Sequence, residues 1–171
     1  MRSRIITLLL LSASACGQGT VAEADKQAST TDASFALTCS GWIDGTAKFG
    51  KETQQLGVET YKTELRWNAA AKALTTTDAE GPMDFCSEGL AEKCNVRVEF
   101  GHLVGESTMS GPGANPEIAV RTISYIDVDL ATGKAVKKSY ILSGKMVDTT
   151  NAKTTSEIHQ VAQLNCERLK D

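Results

Sequence analysis

The chain has 171 residues, 18 Lys plus Arg against 21 Asp plus Glu, and few aromatic residues. A formal net charge of −3 and the lack of a polybasic run argue against a nucleic-acid partner. Five cysteines in so short a chain argue against a reducing compartment.

The first residues have the physical design of an export signal. Met1-Arg2-Ser3-Arg4 is basic, Ile5 to Leu11 is apolar, and small residues continue to Ala15. A bilayer-spanning helix needs roughly 20 apolar residues, far more than this run supplies. Ala13-Ser14-Ala15 fits the A-x-A rule for cleavage before Cys16. Ser14-Ala15-Cys16 also resembles the lipobox of bacterial lipoproteins, with Ala13 where Leu is usual. That resemblance implies a diacylglyceryl, N-acylated Cys16 as membrane anchor. Gly17 in place of Asp implies the outer membrane, so the expected location is the cell envelope, facing the periplasm.

Residues 17–33 carry one β-branched aliphatic, Val21, and no aromatic, too little apolar surface to offset the entropy of ordering. The expected organisation is a signal peptide over 1–15, a lipidated cysteine with a flexible tether over 16–33, and one domain over 34–171. With Arg2 and Arg4 removed, 16 basic residues face 21 acidic ones, a net charge of −5.

The body alternates with period 2, the mark of half-buried antiparallel strands. Phe35, Leu37 and Cys39 share one strand face; Tyr61, Thr63, Leu65 and Trp67 share another. Val96, Val98 and Phe100 alternate with Arg97 and Glu99. Ile118, Val120, Ile126, Val128 and Leu130 oppose Arg121, Asp127 and Asp129. A further strand spans Val136 to Leu142. The expected fold is mostly β: a small antiparallel barrel or sandwich of six to eight strands. Ser87 to Cys94 has room for one or two helical turns with Ser87 as N-cap. The C-terminal segment reads as a closing strand, with a helix as the alternative.

Cys39, Cys86, Cys94 and Cys166 form an even set with three possible pairings. Cys39–Cys166 with Cys86–Cys94 is favoured, because Cys39 and Cys166 lie on apolar faces of the first and last strands and this pairing lets those strands be neighbours. A metal at Cys86, Cys94 and His102 is the alternative. Seven residues between successive ligands is not a structural-zinc spacing, so no metal or cofactor is expected.

Catalytic motifs are scarce. His102 reads as an inward residue at a strand end and His159 as part of a polar face. Gly105-Glu106-Ser107-Thr108-Met109 lacks the second glycine of a nucleophile elbow. Asp127-Val128-Asp129 departs from the calcium-loop order and reads as a hairpin, Asp129 starting the turn and Gly133 at positive φ. Lys137-Lys138 reads as a solvated pair. Gly111, Pro112, Gly113, Asn115 and Pro116 read as a rigid loop and a candidate binding surface, as does the loop between Cys86 and Cys94.

The opening pattern Phe35-x-Leu37-x-Cys39-x-Gly41 resembles small envelope lipoproteins of the β-domain type. The cysteines near each end and Ser143-Gly144 are similar to features of the membrane-bound lysozyme inhibitors. From these likenesses no catalytic residue is carried over. The expected function is a lipid-anchored, non-catalytic binding or structural module. The alternatives are a protein inhibitor or lipocalin-like carrier, with an envelope protein or a small apolar ligand as partner, and a small hydrolytic enzyme.

Overall fold

The computed structural model describes residues 33–87, 91–113, 115, 117–145 and 153–169. The expected signal peptide, Cys16 and nearly all of the expected tether lie outside these residues. Every regular element described is a strand. In chain order they are β1 (Phe35–Phe49), β2 (Glu52–Asn68), β3 (Ala73–Asp78), β4 (Gly81–Asp84), β5 (Ala91–Glu99), β6 (His102–Pro112), β7 (Ile118–Asp129), β8 (Lys134–Lys145) and β9 (Lys153–Arg168). All ladders are antiparallel and form one curled sheet, ordered β4-β3-β2-β1-β9-β8-β7-β6-β5.

Nine strands exceed the expected six to eight. The additional ones carry weak local signals. β3 is rich in threonine, β4 contains Pro82, and β6 is interrupted by Gly105 and Gly111. None shows the apolar–polar contrast that marks β7. The expected helix between Ser87 and Cys94 does not form where the chain is described: Ser87 has a positive φ of 43°, and Ala91 to Cys94 open β5. The C-terminal segment is a strand, as its period-2 reading requires.

The sheet is a meander whose first and last strands meet in its middle. β1 and β9 pair from Leu37↔Arg168 to Phe49↔Ser156, with Cys39 directly opposite Cys166. A disulfide joins them, and a second joins Cys86 to Cys94. Gly41, in the same ladder, leaves room for the neighbouring chain. A Cβ there would strike the Gln163 carbonyl.

β4 and β5 sit at opposite edges of the sheet yet are consecutive in sequence. Alternation through nine positions makes them run in the same direction. Parallel neighbours need a crossover of a dozen or more residues, and residues 85–90 are too few. The edges therefore share no ladder. Phe85, 6% exposed, lies over Gly105 on the concave side, and the Cys86–Cys94 bridge ties the segment to β5.

The core occupies one end of the curl. Leu37, Leu65, Leu74, Leu103, Ile126, Val128 and Leu164 pack there with Trp67, Phe85 and the Cys39–Cys166 bridge. Beyond it one row of the inner face is polar, Ser107, Ser124, Ser139 and Gln160 running continuously across β6, β7, β8 and β9, and the next row, Met109, Thr122, Ile141, Ile158 and Ala47, is apolar except at Thr122. Ser107 is buried and its hydroxyl has no protein partner.

Lys137 and Lys138 are not an equivalent solvated pair, because consecutive strand residues face opposite ways. Lys137 shares the inner face with Ile126 and Ala162, and its ammonium donates to the Tyr61 hydroxyl on β2 at 2.6 Å. Lys138 faces outward, over the Tyr125 ring.

Candidate functional site

The strongest grouping of polar side chains is on the outer sheet face at the core end. Pairing of β6 through β9 with β1 lays out two parallel rows there. One runs from His102 to Asp129 and, across the β7–β8 turn, from Lys134 to Asn165 and Ser40; the next runs Val104, Asp127, Val136, Gln163, Trp42. Between them lies a shallow groove of about 360 Å³ lined by Trp42, His102, Asp127, Lys134, Gln163 and Asn165. That is the lower part of the range for small-molecule sites. Trp42 is 40% exposed, a large indole left facing solvent among hydrogen-bonding side chains.

The polar groups are held by one another. His102 Nδ1 and Asp127 Oδ1 are 2.8 Å apart, and the Tyr125 hydroxyl donates to Asp127 Oδ2 at 3.3 Å. The Asp127 hydrogen bond is the main cause of a raised His102 pKa. Tyr125 is also raised, first by burial and then by the nearby Asp127 charge. Lys134 Nζ donates to Asn165 Oδ1 at 2.6 Å. Asp129 is committed to its turn. Its carboxylate accepts from the Thr132 hydroxyl at 2.7 Å and from the Ala131 and Thr132 amides, which hold its pKa below the ordinary value. Gly133 follows at φ 71° and β8 resumes at Lys134, so the Asp127-Val128-Asp129 segment is a hairpin end.

The position of His102 corrects the inward reading. That reading continued the alternation of Val96 and Val98 through Phe100, but β5 ends at Glu99. Phe100 and Gly101 form the turn, both at positive φ. A turn restarts the alternation on the next strand, and His102 emerges on the outer face beside a carboxylate. Sequence reasoning also passed over Trp42, Gln163 and Asn165. Strands one residue out of phase with the core signal only that these residues face solvent.

The other expected surfaces lie elsewhere. Gly111 and Pro112 are not loop residues: they end β6, opposite Val120 and Ala119. Gly113 and Asn115 make the turn, where the Gly113 amide donates to the Ile118 carbonyl and the Ile118 amide to the Asn115 carbonyl. This turn is at the far end of β6 from His102; Pro116 lies outside the described residues. Cys86 and Cys94 spend both thiols in their disulfide, and His102 stands apart from them. Gly105 to Met109 lie in the middle of β6, with no strand-to-helix turn to present Ser107. His159 faces outward and meets the Tyr140 ring edge-on at 4.8 Å. Among the described residues, no three His, Cys, Asp or Glu side chains converge as metal ligands would.

No protein-family model matches the chain. It is similar to a protein of Formosa agariphila named "Putative beta-glucuronidase", with 28% identity over 148 residues. The similarity covers 78% of this chain but only 13% of that protein.

Proposed function

We propose that this chain is a lipid-anchored envelope protein whose β domain is a non-catalytic binding module for saccharides, with the outer-face groove as its recognition surface. The observation that carries the reading is Trp42, half-exposed at the end of a row of polar side chains on a rigid five-strand face. A pyranose presents an apolar C–H face and a rim of hydroxyls. An indole offers the first a large, stiff platform, and Gln163, Asn165, Asp127 and Lys134 offer the second donors and acceptors. The name of the similar Formosa agariphila protein refers to a glycoside, which is consistent with this ligand class. Because the similarity covers so little of that protein, its activity is not carried over.

A carrier of an apolar ligand has less support, since the polar row Ser107, Ser124, Ser139 and Gln160 interrupts the inner face between the core and the apolar side chains of Met109, Ile141 and Ile158. Burying such groups against an apolar guest leaves them without partners. A hydrolytic role is favoured by one observation, the His102–Asp127 pair at 2.8 Å.

The test is titration calorimetry of the native protein against a panel of soluble cell-envelope polysaccharides and glucuronic acid-containing polysaccharides. Binding should weaken at least tenfold in Trp42→Ala with thermal stability retained. Failure to bind any member of the panel, or equal affinity in the variant, would overturn the saccharide reading. Turnover of chromogenic glycosides or esters that disappears in His102→Ala would establish the hydrolytic one instead.

A further inference from the structure

From the β5–β6 turn we infer a second contact with the membrane, beyond the anchor: Phe100 seats in the lipid surface and sets which end of the domain faces it. Phe100 is 98% exposed, the most exposed large apolar side chain among the described residues. It also sits at φ 50°, followed by Gly101 at 81°, in a two-residue turn with positive φ at both positions. Such turns favour Asn-Gly or Asp-Gly, because a bulky side chain is strained in the left-handed region. Phe100 is thus unfavourable twice over for the free domain, by backbone conformation and by exposure. An observed backbone outlier of this kind is grounds for a functional hypothesis.

The fold says what covers it. Phe100 projects from the end of the curl that holds the β2–β3 and β7–β8 turns, and the Leu130 amide donates to the Gly101 carbonyl at 2.9 Å to brace the turn. The described chain enters at this same end, at Ala33 and Ser34, with Cys16 seventeen positions upstream. Leu169, 40% exposed, leaves there too. A tether from Cys16 therefore delivers to the bilayer the end that carries Phe100. The opposite end carries another exposed aromatic, Phe49, at the β1–β2 turn. The contact is apolar, since the chain is acidic and its sequence has no polybasic run.

The inference rests on the proposed lipid anchor, and the experiment separates the two. The mature protein, purified with its own N-terminus, is reconstituted into phosphatidylethanolamine and phosphatidylglycerol vesicles containing a lipid spin-labelled in the upper acyl chain. Phe100→Trp and Phe49→Trp are compared on the common background of Trp42 and Trp67. The added fluorescence of Phe100→Trp should be quenched by the labelled lipid, and that of Phe49→Trp should not. Protein that fails to float with the vesicles overturns the anchor and this inference together. Protein that floats without selective quenching at position 100 overturns the inference alone. As a second readout, Phe100→Asn should keep or raise the melting temperature, by about 2–4 °C where it rises. A fall as large as that of a core substitution would mean Phe100 serves the fold instead.

Discussion

Removing the two disulfides separately should have unequal effects, with sizes set by loop closure. The Cys39–Cys166 bridge spans 127 positions and Cys86–Cys94 spans 8. In the chain-entropy model these constrain the unfolded chain by about 5 and about 2.5 kcal/mol at 25 °C. Burial acts in the same direction. Cys39 is fully buried and Cys166 is 8% exposed within the core, whereas Cys86 and Cys94 are half-buried beside it. Alanine at the first pair therefore leaves the larger cavity contribution. The ladder between β1 and β9 holds those strands together once folded, but it does nothing to restrict the unfolded chain. Cys39→Ala/Cys166→Ala should thus be less stable than Cys86→Ala/Cys94→Ala by about 2–3 kcal/mol, or about 5–10 °C in Tm. Urea unfolding followed by circular dichroism measures both, and the slope should rise more for the first variant as its unfolded ensemble expands. Equal midpoints, or a larger loss from the Cys86–Cys94 variant, would refute the loop-entropy reasoning. The short bridge would then matter chiefly by holding the gap between β4 and β5 closed.

Two further outcomes follow from the same ladders and groove. The Asp127 hydrogen bond raises the His102 pKa, so the pair's contribution to stability is complete below the unfolded value of about 6.5 and is lost as pH rises through the folded pKa. Side-chain exposures of 43% and 34% keep it under about 1 kcal/mol. An NMR titration should show the His102 pKa falling in Asp127→Asn; an unchanged value would remove Asp127 as the cause. Gly41→Ala should cost about 1–3 kcal/mol or more, because its Cβ meets the Gln163 backbone in the middle of the sheet. Gly111→Ala, with no neighbour near its Cβ, is the control; equal denaturant midpoints would count against the steric account.

The disulfide pairing was legible because Cys39 and Cys166 each extend an apolar alternation at the ends of the domain. A strand needs one face apolar, and that requirement is written locally. The same rule sorted the faces of β7, placing Ile126 and Val128 inward and Asp127 and Asp129 outward. It failed at Phe100, where the alternation ran past the end of a strand into a turn, and His102 was consequently given the wrong face. It was silent on β3 and β4, whose threonines, glycine and proline present no contrast to read.

Sequence by itself determined an all-antiparallel β domain with two bridges between four cysteines, since pleat and burial are properties of each strand and its neighbours. The Cys39–Cys166 pairing already made the first and last strands neighbours; tertiary structure alone decided that this pair lies mid-sheet, that Lys137 reaches inward to Tyr61, and that Trp42, Asp127, His102 and Gln163 come from four strands to line one groove. Those juxtapositions depend on strand order and register. Both are set by ladders between residues far apart in the chain, which no local pattern encodes.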